Sequence, residues 1–382
     1  MKLDRAAALA LDGADPLASW RHEFVIADES IAYLDGNSLG MLPRRTVERL
    51  HRVMDTEWAS GLIGSWDQWL DLPQRVGDRL APLIGAAAGE VAVHDSTTIN
   101  LYQLVVAGCA LRPDRSVIAI DSEEFPTDRY VVDGVAASRG MQIRHGFDRL
   151  DDVAVMVRSL VDYRTAEVAD VAGETARATD AGAIALWDLS HAIGVLPVDL
   201  GGAGAQLAVG CTYKYLNGGP GAPAFSFVAK ELQATLTQPI WGWFAQTDQF
   251  TMGSRFVPQP DIRRVLAGTP SVLALAAADE GIALTVEAGI SAIATKARRL
   301  TGFAIDLCDQ FGLVTSSPRD ADRRGGHVAV VHPNARQMVT TLASRRVLVD
   351  YREPDVVRLG CSPLTTRFVD VFDGLHCIAD LV

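Results

Sequence analysis

The stretch that decides the fold is residues 183–221, AIALWDLSHAIGVLPVDLGGAGAQLAVGCTYKYLNGGPG. Its opening run, Ala183-Ile184-Ala185-Leu186-Trp187, passes without a polar break into Asp188. An apolar run of that kind reads as a strand buried on both faces, in a sheet covered by helices on both sides. Asp188 then stands at the carboxyl edge of a central strand, where α/β sheets bind their ligands. A second run, 207–210, leads into Cys211-Thr212-Tyr213-Lys214-Tyr215-Leu216-Asn217 and the glycine-rich Gly218-Gly219-Pro220-Gly221.

Lys214 is the only charged residue between Asp199 and Lys230. The chain carries just four lysines, Lys2, Lys214, Lys230 and Lys296, among 35 basic residues. Its surface charge is written in arginine, so a lysine in an uncharged stretch is poorly explained as solubilising decoration. A desolvated amine loses basicity and becomes a nucleophile toward aldehydes. A carboxylate at a strand end can keep a pyridine nitrogen protonated, which makes pyridoxal phosphate an electron sink. A buried structural ion pair is the other use of such residues, and the spacing alone leaves it open.

Outward from this segment the alternation of strand and helix continues. Strands are predicted at 91–94, 116–120, 142–145, 154–159, 183–187, 207–210 and 222–228, with helices over 75–83 and 100–110. Tyr33-Leu34-Asp35 reads as a short strand entering the turn Gly36-Asn37-Ser38-Leu39-Gly40, and Pro43 opens a helix. Residues 250–268 are irregular, one long helix is expected over 271–307, and strands return at 326–331, 347–351 and 356–360 before a final helix. The expected architecture is α/β: a large domain, 51–261, built on a mostly parallel sheet, and a smaller α+β domain from 1–50 with 262–382. Ser96-Thr97-Thr98, between a strand and a helix, offers hydroxyls and free N–H groups to an anion.

Composition narrows the function. The chain has 382 residues, enough for about two domains. Its formal charge of −12 disfavours nucleic-acid partners. Five cysteines are scattered without a C-x-x-C pair, so free thiols in a reducing compartment are expected, with no disulfide framework and no metal. No stretch approaches the roughly 18 uninterrupted apolar residues of a membrane span, and Asp4 and Asp12 interrupt the N-terminal apolar patches. A cytoplasmic protein is expected.

The segments 188–194 and 212–221 together resemble the fold-type-I pyridoxal-phosphate enzymes of aminotransferase class V. Five further strings resemble the kynureninases in particular: residues 33–40, Phe125-Pro126-Thr127-Asp128, Val161-Asp162-Tyr163-Arg164-Thr165, Gly242-Trp243-Phe244 and Arg358-Leu359-Gly360. They occur in that family's order over nearly the whole chain. The resemblance implies that Lys214 binds pyridoxal phosphate covalently, that Asp188 pairs with the pyridine nitrogen, and that Tyr213 acts beside them. It implies Phe125 stacked on the ring, Thr127, Asp128, Ser159 and His191 around it, and Thr97, Thr98 and Tyr213 at the phosphate or its neighbourhood. Trp243 and Thr269 would reach the cofactor from a neighbouring subunit, so a homodimer is implied. Arg358 would clamp the substrate carboxylate, a bidentate task suited to guanidinium, with Asn37 and Ser38 beside it. Leu62, Trp66, Trp243, His94 and Phe125 are candidates for contact with the substrate's aromatic ring.

The reaction implied is hydrolysis of L-kynurenine to anthranilate and L-alanine, in tryptophan breakdown. Plain L-kynurenine is expected over its 3-hydroxy form, because apolar Leu62 and short Thr269 offer a ring hydroxyl little. One departure stands out: Thr365-Thr366 follow Pro363-Leu364 where the family carries an aromatic and an amide. The rival is another class V enzyme, such as a cysteine desulfurase or an aminotransferase. A desulfurase needs a cysteine on a mobile loop, and Cys361 lies too close to Arg358, in a predicted strand. A ligand sensor of the same fold could dispense with the lysine and would carry a DNA-binding module; this chain keeps Lys214 and has no spare domain.

Overall fold

The computed structural model describes residues 3–382. A two-residue strand β1 (Ala32–Tyr33) leads into the loop of residues 35–40. Seven strands follow: β2 (Val91–His94), β3 (Val117–Ile120), β4 (Gln142–His145), β5 (Val153–Ser159), β6 (Ile184–Asp188), β7 (Leu207–Gly210) and β8 (Ala224–Val228). They form one sheet in the order β2-β8-β7-β6-β5-β3-β4. β3 to β7 pair in parallel, while β8 runs antiparallel to both its neighbours. The sheet is therefore mixed. The reason is the connection: parallel neighbours need a crossover, usually helical, whereas the helix-free loop after β7 turns the chain straight back.

Both faces are covered, and the strands show it residue by residue. In β6, Ala185 and Trp187 belong to one apolar cluster with Val93, Met156 and Phe225. Ile184 and Leu186 belong to another with Ile118, Val155 and Leu207. Successive side chains point to opposite faces, so burial on both sides gives the continuous apolar run seen in the sequence. The buried indole of Trp187 donates to Thr175 Oγ1 at 3.0 Å, so its polar handle is satisfied.

The remaining strands are β9 (His327–Val331), β10 (Val347–Leu348), β11 (Asp350–Arg352) and β12 (Val356–Gly360). β12 lies between β11 and β9, antiparallel to each, and β10 pairs with β1. A further cluster joins the two chain ends, with Ala8 and Leu34 against Val328, Phe368 and Ile378. Asp12 accepts from the N–H groups of Phe368 (2.7 Å) and Val369 (3.1 Å) at the start of the last helix, and Lys296 pairs with Asp15 at 2.6 Å, nearly out of water.

The single helix expected over 271–307 is two helices, Val272–Ala288 and Ile290–Phe311. Gly289 breaks it, at φ +82°, a backbone that other residues adopt only at a cost. The first of the pair contributes Leu275 and Ile282 to the sheet's core. Its Gly281 lies hard against the segment that carries Lys214: a Cβ there would fall 2.2 Å from the Leu216 carbonyl oxygen and 2.8 Å from the Asn217 carbonyl carbon. Backbone atoms cannot step aside as a side chain does. Gly281→Ala is expected to lower stability by about 1–3 kcal/mol, read as a lower melting temperature. An unchanged melting temperature would show that the helix shifts freely.

Candidate active site

The carboxyl ends of the parallel strands converge on one place. Asp188 closes β6, and its Oδ1 accepts from the Ser190 N–H at 2.7 Å. The register sets Ser159, the last residue of β5, directly across from it. Beyond β3 the chain turns at Glu124 and Phe125 into the helix Pro126–Arg139, which carries Asp128 in its first turn. Glu124 accepts from the N–H groups of Phe125 (2.9 Å) and Ser159 (2.8 Å). Three buried carboxyls thus lie close together: Asp188, Asp128 and Glu124. Burial drives the Asp128 carboxyl far above its ordinary range, and the charges of Asp188 and Glu124 add to that. Burial likewise raises Glu124, and the Ser159 hydrogen bonds hold it back. Asp128 Oδ2 has no hydrogen-bond partner. Such a group suits a cationic N–H donor, which relieves both the crowding of charge and the unmet acceptor.

Lys214 arrives from β7. Its Nζ lies 2.9 Å from His191 Nε2 and 5.9 Å from the Tyr213 ring centroid. His191 is held neutral, its pKa pushed far below the usual imidazole range by burial and then by the Lys214 charge. Burial raises the Tyr213 phenol as well. The Gly40 N–H donates to the Tyr213 carbonyl at 2.8 Å. A Cβ on Gly40 would sit 2.3 Å from the Lys214 carbonyl oxygen, so only glycine lets the loop of residues 35–40 come this close. Thr97 and Thr98 open the helix Thr97–Ala110, capped by Ser96, whose Oγ accepts from the Ile99 N–H at 3.4 Å. That helix starts three residues before the predicted position, which places both threonines in its first turn, where N–H groups lack helical partners. Thr127 is half-buried beside Asp128.

Arg358, in β12, is 1 % exposed. Its Nε donates to Asp350 Oδ1 (2.7 Å) and its Nη2 to Asp350 Oδ2 and Ser38 Oγ (3.2 Å), while Nη1 donates to the Tyr163 carbonyl (2.6 Å). The Asn37 amide, turned to accept, takes Nη2 at 3.1 Å. The Phe125 ring stands edge-on to Tyr163 at 5.3 Å, linking the two groups of residues. Asn37, Ser38 and Arg358 are therefore brought together, as are Asp188, Asp128, Ser159, His191, Tyr213 and Lys214.

Four predicted residues lie elsewhere within the single chain. Trp66 and Trp243 stack edge to face at 5.9 Å in an aromatic group with Trp69 and Phe244. Thr269 is exposed on the rim of a small cavity with His94, Asp95 and Pro223. Leu62 is 62 % exposed on a left-handed turn, φ +48°. Among the described residues none of the four makes a hydrogen bond or ring contact with Lys214, His191 or Asp188. Sequence reasoning missed Glu124, Asp350 and His327. Glu123-Glu124 has the look of a solvated acidic pair, and only its place after a strand end could have drawn attention to it.

A family model described as the kynureninase C-terminal domain matches residues 293–378. The kynureninase of Burkholderia pseudomallei (strain K96243) is 42% identical over 397 residues, covering 99% of this chain and 95% of its own. That of Pseudomonas fluorescens is 39% identical over 395 residues, covering 98% and 94%. Among solved structures, the apo cysteine desulfurase from Thermococcus onnurineus NA1 superposes with a TM-score of 0.84 at 17% identity, over 95% of this chain and 97% of that one. The Escherichia coli cysteine desulfurase CsdA gives 0.79 at 17% identity, over 95% and 97%. At that identity the likeness shows a shared fold, the fold-type-I architecture of a large α/β domain and a smaller one.

The carboxyls around Arg358 carry a pH signature. Burial and the charge of Asp350 push Asp35 up to about 6, while Arg358 holds Asp350 low despite its burial. The preference of folded Asp35 for its proton stabilises the protein fully below about pH 4 and is lost as pH rises through about 6. Asp35→Asn cannot ionise, so it is expected to gain on the order of 1–3 kcal/mol relative to wild type between pH 4 and pH 8. Denaturant unfolding at both pH values measures the difference, and a pH-independent gap would refute it.

Proposed function

The chain belongs to the kynureninase family, and from that premise we infer that it hydrolyses the Cβ–Cγ bond of L-kynurenine, giving anthranilate and L-alanine. The observation that carries this reading is the gathering at one sheet edge of Lys214, which follows β7 and meets His191, with the buried carboxyls of Asp188, at the end of the adjacent β6, and of Asp128, which feels the Lys214 charge. The site fits pyridoxal phosphate. Lys214 would hold its aldehyde carbon, Asp188 and Asp128 its pyridine nitrogen, Thr97 and Thr98 its phosphate, and Phe125, Thr127, Ser159, His191 and Tyr213 would surround it. When bound, that cofactor draws off the electrons released at substrate carbons.

The protein's own tasks follow from its geometry. Lys214 Nζ moves the proton at the substrate α-carbon, and neutral His191, 2.9 Å from it, is too weak a base to compete for that proton. The Asp188–Asp128 pair holds a cationic nitrogen in a place closed to water. Arg358, aligned by Asp350, with Asn37 and Ser38 at its edge, receives the substrate carboxylate. The cysteine weighed for the desulfurase alternative is ill suited to be its nucleophile: Cys361 is fully buried, and burial pushes its thiol up to about 12.

We propose that the working form is a homodimer with shared active sites. Trp58 (59 %), Leu62 (62 %) and Ile63 (78 %) are exposed beside an apolar groove lined by Val53, Trp69, Val272 and Leu273. An apolar surface of that kind marks an interface. A second copy seated there would bring Trp66, Trp243, Thr269 and Leu62 to its partner's substrate ring. No helix among the described residues is long and apolar enough to cross a membrane, and the five free cysteines suit the cytoplasm. The proposed division into 51–261 and 1–50 with 262–382 leaves the helix Val272–Ala288 packed on the sheet of the larger part.

Two outcomes test the reading. With pyridoxal phosphate and L-kynurenine the protein is expected to release fluorescent anthranilate, with a higher kcat/KM than for 3-hydroxykynurenine. Lys214→Ala should lower kcat by at least about 1000-fold at an unchanged melting temperature. An active Lys214→Ala variant overturns the assignment. The dimer is checked by sedimentation at assay concentration, where a fully active monomer overturns it.

A further inference from the structure

His327 lies in β9, across the sheet from Gly360, with no exposure to water. Among the described residues, neither of its ring nitrogens finds a hydrogen-bond partner. Its ring faces that of His191, centroids 5.7 Å apart and planes 56° from parallel. His191 is engaged on one side only: Nε2 meets Lys214 Nζ at 2.9 Å, while Nδ1 is buried without a partner. Two buried imidazoles with unmet nitrogens, facing each other behind a lysine, are hard to explain as packing, because each unmet polar atom costs about 1–3 kcal/mol.

The tautomer of His191 matters to the lysine in front of it. With its proton on Nε2, His191 would donate into the Lys214 lone pair and occupy the electrons a base needs. With its proton on Nδ1, Nε2 accepts an N–H from Lys214 and leaves the lone pair free. In a buried ring the hydrogen bond made at the other nitrogen decides the tautomer, so the group at Nδ1 matters. We propose that His327, acting through a bridging water, is a positioning residue that keeps the His191 proton on Nδ1 and so keeps Lys214 competent as a base. Burial holds both rings neutral, so tautomers and not charges are at stake. Nothing in the known chemistry of the site requires a residue from β9, and its neighbours Gly326 and Val328 give no hint of one.

The proposal rests on the kynurenine-cleaving reading, and two kinds of measurement separate the two. His327→Leu removes the acceptor, and His327→Gln keeps one. For the pyridoxal-phosphate-loaded enzyme, His327→Leu is expected to lower kcat about tenfold to a hundredfold with KM within about twofold, whereas His327→Gln stays within about threefold of wild type. Deuterium at the substrate α-carbon should slow His327→Leu more than it slows wild type. Equal losses in both variants, or a kcat for His327→Leu within about twofold of wild type, would overturn the proposal. Should either variant fail to fold, 15N spectra of the histidine-labelled wild-type holoenzyme decide, with the His191 signals assigned by their loss in His191→Gln. A proton on Nδ1 supports the proposal and a proton on Nε2 overturns it, whatever substrate the enzyme takes. Absence of any anthranilate from wild type would instead count against the reading beneath it.

Discussion

The site depends on one close approach of backbone to backbone. The loop of residues 35–40 lies so near the lysine-bearing segment that the Gly40 N–H bonds to the Tyr213 carbonyl and no side chain fits at Gly40. That contact sets Asn37 and Ser38, and through them Arg358 and Asp350, at a fixed distance from the ends of β6 and β7. Gly281 repeats the device from the other side, pressing a helix onto Leu216 and Asn217. Between these two contacts the Lys214 segment has little freedom, and the amine is aimed by its surroundings more than by its own flexible stem.

The sheet supplies what the loop contacts cannot. Parallel strands all end on one side, so Ser159 and Asp188 come level without any direct attraction between them. Carboxyls gathered at that edge repel one another, and burial together with that repulsion pushes Asp128 toward its protonated form. Crowding of this kind has no structural benefit. It is sensible only where a positively charged partner is part of the finished site, which is why the carboxyl cluster says more about function than any single residue in it.

The central strands were legible because burial on both faces writes itself as continuous apolar runs, and 91–94 and 207–210 end where they were expected to. Lys214 and Asp188 were legible because a lone charge in an apolar setting is conspicuous. Direction was not: the reversal at β8 depends on a loop, and periodicity carries no sign. Nor was the break at Gly289, since glycine also occurs inside helices, as Gly281 does. Residues that act through distant partners left the faintest trace. Arg358 meets Ser38 across 320 positions and Tyr163 across 195, and no local pattern records such a meeting. His327 sits in a strand as apolar as its neighbours, and its unmet nitrogens exist only once β9 is folded against His191. The shared fold with cysteine desulfurases marks the same boundary from the other side: the architecture is common property, and the chemistry lies in which side chains stand at its edges.

Four of the five N–H groups of Arg358 are already directed at Asp350, Ser38 and Tyr163. An anion arriving there would therefore bind by exchange, and what it exchanges with would set a threshold. The hydroxyl and the carbonyl are neutral and yield to a full negative charge; the Asp350 carboxylate does not yield to its equal. A neutral amide or ester offers no more than Ser38 and Tyr163 already provide. If it serves as the carboxylate site, the arginine would thus discriminate between ionised and neutral ligands of the same shape, because its resting partners fall between the two.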